Sequence, residues 1–136
     1  MTDVIETIIT EIVAEVNSLI KHNDTVSQIE GIFRKNGFYT TREYPIYKIK
    51  DGSGRADLVA RKGKFRVAIE YDHHEVIKWK SFQKIVQIKP DVAIGVVGLG
   101  ELKPNLERAT KYIKSLSSPL YIVALKQRAY ELVLHV

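Results

Sequence analysis

The chain has 136 residues, 21 Lys+Arg against 16 Asp+Glu for a net charge of +5, and no cysteine. This length fits one domain, residues 1–136, with a core of its own, and the lack of cysteine excludes a disulfide framework or a thiolate zinc site. No apolar run approaches the ~20 residues of a membrane span, and the opening carries Asp3 and Glu6 with no basic leader region, so the expectation is a cytoplasmic protein without a membrane partner, whose basic balance favours a polyanion such as DNA.

Val4, Ile5, Ile8, Ile9, Ile12, Val13, Val16, Leu19 and Ile20 recur at helical spacing and predict a first amphipathic helix over 3–22. Its apolar face is wide enough to suggest a homodimer seam through Ile8 and Ile12. Thr25 with Gln28 reads as a capping box, opening a second helix with Val26, Ile29, Ile32 and Phe33 inward and Asn36-Gly37 as its stop.

Residues 38–49 are rich in Tyr, Thr and Ile and predict a strand, with Pro45 marking an edge or a bulge. A turn at 51–54 leads to a strand over 55–61, in which Ala56, Leu58 and Ala60 face one way and Asp57 and Val59 the other. Lys62-Gly63 turns the chain into a strand over 65–72, with Phe65, Val67, Ile69 and Tyr71 on one face and Arg66, Ala68, Glu70 and Asp72 on the other. A helix over 73–89 follows, striped by Trp79, Phe82, Ile85 and Val86. The near-continuous apolar run at 91–97 reads as a buried strand, 104–116 as a helix ended by Pro119, and 120–125 and 130–136 as closing strands. The order ααβββαβαββ joins an antiparallel hairpin to helix-linked parallel strands, so the fold class is α/β (α+β), a mixed sheet flanked by helices.

The hairpin from Gly54 to Asp72 carries the chemistry. An unpaired charge inside a strand costs several kcal/mol, so acids converging at one end of a hairpin imply a cation between them. Hard oxygen ligands suit Mg²⁺ or Mn²⁺. Asp57 and Glu70 supply two such ligands, the Tyr71 carbonyl a third, and Glu30 reaches toward the same space. Lysines around the acids, at 62, 64, 78, 80 and 84, suit a phosphate backbone.

These residues and their order, a helix with Glu30, Gly54-Arg55-Ala56-Asp57 on one strand, Ile69-Glu70-Tyr71 on the next and then a helix, resemble the PD-(D/E)XK nuclease superfamily, which includes restriction endonucleases and archaeal Holliday-junction resolvases. The resemblance covers roughly residues 25–98. It implies a restriction-endonuclease-like fold and a metal-dependent DNA endonuclease, with Asp57 and Glu70 catalytic and metal-binding and Glu30 assisting. One position departs from the pattern. Asp72 stands where the superfamily places its lysine, which makes Asp72 a possible extra ligand. Lys80 on the following helix is then the first candidate replacement, with Lys84 one turn on. Lys62, Lys64, Lys78, Lys84 and Arg55 would hold the nucleic acid.

Blander readings stand beside these. Asp57 pairs with Arg55 or Arg42, Glu30 is a surface charge, and Asp72 is a helix N-cap. Adjacent His73 and His74 cannot both face one metal from a regular element, Trp79 is a core residue rather than a stacking platform, and His22 and His135 lie on the surface. With Asp72 in place of lysine, the competing functional reading is a nucleic-acid-binding module without catalysis.

Overall fold

The computed structural model describes residues 1–49, 52–113 and 116–133, with side chains outside 47–53. Its elements are α1 (Thr2–Glu15), α2 (His22–Lys35), β1 (Tyr39–Ile49), β2 (Gly52–Lys62), β3 (Phe65–Asp72), α3 (Trp79–Ile88), β4 (Val92–Val97), α4 (Leu102–Tyr112), β5 (Leu120–Ala124), a short 3₁₀ turn (Leu125–Gln127) and β6 (Ala129–Val133). The six strands form one sheet in chain order. β1–β2, β2–β3 and β5–β6 are antiparallel, and β3–β4 and β4–β5 are parallel. The mixed sheet flanked by helices is the α+β architecture that the pattern predicts. Of the expected turn at 51–54, Asp51 lies outside the described residues, while 52–54 already belong to β2. The expected helix over 104–116 starts at Leu102 and ends at Tyr112, with 114 and 115 outside the described residues, as are 134–136 of the last expected strand, including His135.

The sheet separates two cores. α1 and α2 supply Ile5, Ile8, Ile9, Ile12, Ile29 and Phe33 to one, against Leu58, Ala60, Val67 and Ile69. α3 and α4 supply Phe82, Ile85, Ile88 and Ala109 to the other, against Val59, Ala68, Ala93 and Ile122. Burying each large aliphatic side chain contributes about 1.5–3 kcal/mol. β4 and β5 are buried along their whole length, as strands covered on both faces are. Ile8 and Ile12 are fully buried inside this single chain, which corrects the expectation of a dimer seam there. The wide apolar face is consumed by the sheet.

Three of the boundaries that differ from the pattern bear on the site. α1 ends at Glu15, where Val16 turns extended (φ −74°, ψ 132°). Arg128 donates to the Val13 and Val16 carbonyls, and the Asn17 side chain accepts from Leu19 N–H. Leu19, apolar and in phase, is left 84 % exposed. α2 begins at His22, so Thr25 and Gln28 do not cap it. Both bind Asn17 instead, Thr25 Oγ1 donating to its carbonyl and Gln28 Oε1 accepting from its N–H. Residues 73–78 are not helical because their backbone groups are engaged elsewhere. His74 C=O accepts from Leu99 N–H, Glu75 C=O and Ile77 N–H bind the buried Asn105 amide, Ile77 C=O accepts from Arg108 Nε, and Lys78 N–H donates to Asp72.

Pro45 is tolerated because β1 is an edge strand, and the β1–β2 register shifts between Ile46 and Ile49. Beyond Leu58 the β1–β2 ribbon packs toward α3. Ile46 and Ala56 therefore join the second core, and Ala56 leaves the face it was expected to share with Leu58 and Ala60.

Two glycines test this packing in opposite directions. A Cβ at Gly100 would overlap the Glu75 carbonyl, whereas one at Gly31, inside α2, meets open space. Gly100→Ala is expected to destabilise the fold by about 1–3 kcal/mol, and Gly31→Ala to stabilise it by about 0.5–1 kcal/mol. Urea unfolding of the two variants measures both.

Candidate functional site

The β2–β3 ladder runs from Lys62–Phe65 to Leu58–Ile69 and stops there. β2 continues beside β1 and β3 continues beside β4 as far as Asp72–Val97, so the two strands part in a fork one residue past Leu58. Between Gly54 and Lys62, Asp57 alone has no ladder partner on either side. The residue of β1 across from it, Glu43, adopts φ 50°, an unusual backbone for a non-glycine residue.

Two carboxylates take the place of the missing rungs. Asp57 N–H donates to Glu70 Oε2 at 2.6 Å, and Tyr71 N–H donates to Asp57 Oδ2 at 2.8 Å. Each acid thereby satisfies a backbone donor of the other strand and is held in one orientation. The second oxygen of each meets a basic group: Glu70 Oε1 lies 3.5 Å from Lys84 Nζ, and Asp57 Oδ1 lies 3.6 Å from His22 Nε2. The Tyr71 carbonyl accepts from His22 Nε2 at 2.9 Å. Three oxygens of hard-ligand type, two carboxylate and one carbonyl, therefore lie at the fork within reach of basic side chains.

The electrostatics are those of a crowded anionic site. Burial, followed by the charge of Asp57, pushes the Glu70 carboxyl up to about 8. Burial also raises Asp57. The Glu70 side chain is 2 % exposed and that of Asp57 21 %, so the inner acid loses more hydration. Lys84 acts against both shifts. The chemistry of the donor set fits a hard divalent cation. Among the described residues, however, no three or more His, Asp or Glu side chains already stand together as a metal-binding group.

The remaining expected residues are placed as follows. Glu30 is bonded to Thr40 at 2.6 Å and paired with Arg34 and Arg42, so its carboxylate is committed to the α2–β1 side. Asp57 pairs with neither arginine weighed for it, since Arg42 takes Glu30 and Arg55 takes Glu43. Asp72 Oδ2 accepts from Lys78 N–H and Ser81 Oγ, which ties down the start of α3. The N-cap residue is Lys78, not Asp72 as expected, because six residues of non-helical chain separate Asp72 from the helix. Lys80 is exposed. Lys84 is the helix lysine that contacts the acids, because helical side chains lean toward the N-terminus and carry its ammonium back to Glu70. Lys62 donates to Asn36 C=O and, with Lys64, sits at the hairpin turn, roughly 17 Å from Asp57 at ~3.3 Å per strand residue. Lys78 and Arg55 are exposed nearer the fork. His73 Nδ1 contacts the Tyr71 hydroxyl at 2.9 Å while His74 is exposed, so the pair shares no ligand. Trp79 is 36 % exposed and belongs to neither core.

His22, expected on the surface, is the site residue the pattern missed. Its ring lies 5.2 Å from that of Tyr71, and α2 carries it to the fork from 49 residues upstream. No local motif marks such a residue; only the helix start at His22 and the fixed Asn17 place it there. Comparison with family models, curated proteins and solved structures finds no match for this chain.

Because Glu70 titrates near 8 when folded against an ordinary 4.5, the folded state holds the extra proton between those values. Metal-free protein is therefore expected to be most stable below pH 4.5 as far as Glu70 is concerned, and to lose that contribution as pH rises toward 8, by up to about 1.4 kcal/mol per pH unit. Glu70→Gln should flatten the slope, as urea titrations at stepped pH would show.

Proposed function

We propose that this protein is a metal-dependent nuclease that hydrolyses phosphodiester bonds in DNA. The observation that carries the reading is the fork itself, where two backbone-anchored carboxylates from neighbouring strands lie beside a backbone carbonyl with a lysine against the inner acid. Asp57, Glu70 and the Tyr71 carbonyl would hold Mg²⁺ or Mn²⁺. Such a cation neutralises phosphate charge and acidifies a water molecule.

The chain's own residues supply the rest. Asp57 and Glu70 are kept from rotating by the Tyr71 and Asp57 N–H groups, so their outer oxygens stay directed at His22 and Lys84. Lys84, its side chain 18 % exposed, places an ammonium where charge develops on a phosphate. It thus takes the part of the lysine that the PD-(D/E)XK resemblance expects at Asp72. Asp72 holds the start of α3 and so sets where Lys84 falls. Lys78 and Arg55, both exposed, would meet the flanking backbone, which would make binding fall steeply with salt. A binding module without catalysis is favoured by one observation: Lys84 can itself neutralise Glu70, leaving the acids as a structural pair.

Supercoiled, linear and four-way-junction DNA incubated with Mg²⁺ or Mn²⁺ separates the two. Metal-dependent cleavage abolished by Glu70→Ala, reduced about 10²-fold or more by Lys84→Ala and kept near wild type by Lys80→Ala supports the nuclease. Salt-sensitive binding without cleavage under either metal selects the binding module.

A further inference from the structure

Away from the fork, the carboxyl ends of β4 and β5 open into a groove. Two cavities of about 420 and 340 Å³ adjoin there and share Glu75, Leu99 and Lys126. The floor is fixed. Gly98 N–H donates to the Asp72 carbonyl and Leu99 N–H to the His74 carbonyl, and Gly100 lies so close to the Glu75 carbonyl that no Cβ fits between them. At one rim stands Leu19, 84 % exposed. A leucine left in water forgoes the gain of burial, yet the backbone that presents this one is braced. Leu19 N–H donates to Asn17 Oδ1, Gln28 and Thr25 bind Asn17 through its N–H and C=O, and Arg128 takes the Val13 and Val16 carbonyls just before it. An apolar knob already held in place loses little freedom when it meets a partner.

The charges of the groove are ordered along its length. Arg128 lines the cavity beside Leu19, and Glu101 lines the other, beside Val76 and Pro104. Among the described residues Glu101 and Arg128 enter no ion pair. A base and a knob at one end, and an acid and an apolar cavity at the other, fit the same groove turned end for end. We propose that the occupant is a second copy of this chain, docked groove to groove about a two-fold axis near Leu99. Each Leu19 enters the other copy's cavity between Val76 and Pro104, and Arg128 faces the partner's Glu101. A two-fold contact requires such self-complementarity, because one patch must serve as both halves of the interface. A polyanion suits the groove poorly, since Glu75 and Glu101 line it beside the two bases. This surface is neither the apolar face of α1, which the sheet consumes, nor part of the fork.

Sedimentation equilibrium of the full chain over a range of concentrations tests this, with circular dichroism to verify that each variant folds. Leu19→Asp, Leu19→Ala and Glu101→Lys change exposed side chains. The expected result is a wild-type dimer whose dissociation constant rises about tenfold or more in Leu19→Asp and Glu101→Lys, and by less in Leu19→Ala. The double variant Leu19→Asp/Glu101→Lys is expected to recover part of the loss, because the new aspartate then meets the new lysine across the interface. Leu19 and Glu101 line different cavities of one copy, so a coupling between them reports contact between two copies. A wild type still monomeric at ~1 mM, where even weak association is populated, overturns the second copy as occupant and leaves the groove to a different protein. A dimer indifferent to Leu19→Asp, or a double variant that recovers nothing, overturns the groove as its seam.

Discussion

The exchange of two carboxylates for two rungs of a ladder is the constraint on which the site depends. β2 and β3 can part only if the backbone donors exposed at the fork find other acceptors, since a buried N–H without a partner costs about 1–3 kcal/mol. Asp57 and Glu70 provide those acceptors. The acids are therefore structural, and under the proposed function they would be chemical as well. They hold the fork open, and the oxygens not used for that purpose meet Lys84 and His22. Lys84 and His22 are the groups that make this crowding tolerable in the protein without a cation.

The rest of the molecule places these few side chains. The sheet anchors Glu70 through the parallel β3–β4 pairing. Two cores fix the helices on opposite faces, so α2 delivers His22 and α3 delivers Lys84. The non-helical segment 73–78 is held by Asn105, Arg108 and Asp72, which decides where α3 begins and so which lysine reaches the acids. The site occupies the least regular part of the sheet, where local rules yield to a different requirement.

What was legible in the chain follows the physics of short-range pattern. Period-two alternation and turn residues exposed the hairpin and its acids, and continuous apolar runs exposed β4 and β5. Helix boundaries were less legible. Leu19 is apolar and in phase yet lies past the end of α1 because Arg128, remote in sequence, takes the α1 carbonyls. Thr25 and Gln28 have capping-box spacing but serve the backbone of Asn17. Lys80 and Lys84 share a polar face in the sequence, and only the true start of α3 at Trp79 separates them. Glu30 lies on the expected helix but finds nearer partners in Thr40, Arg34 and Arg42. His22 was invisible because its role depends on a contact spanning 49 positions.

The central claim is that the fork between β2 and β3 is a cation site. The most direct measurement is an anomalous-scattering map from crystals grown with Mn²⁺. The account predicts one strong peak bonded to Asp57, Glu70 and the Tyr71 carbonyl, with Lys84 moved off Glu70 Oε1 or sharing its charge. A map with no peak at the fork, and Lys84 and His22 still paired to the two acids, would contradict it.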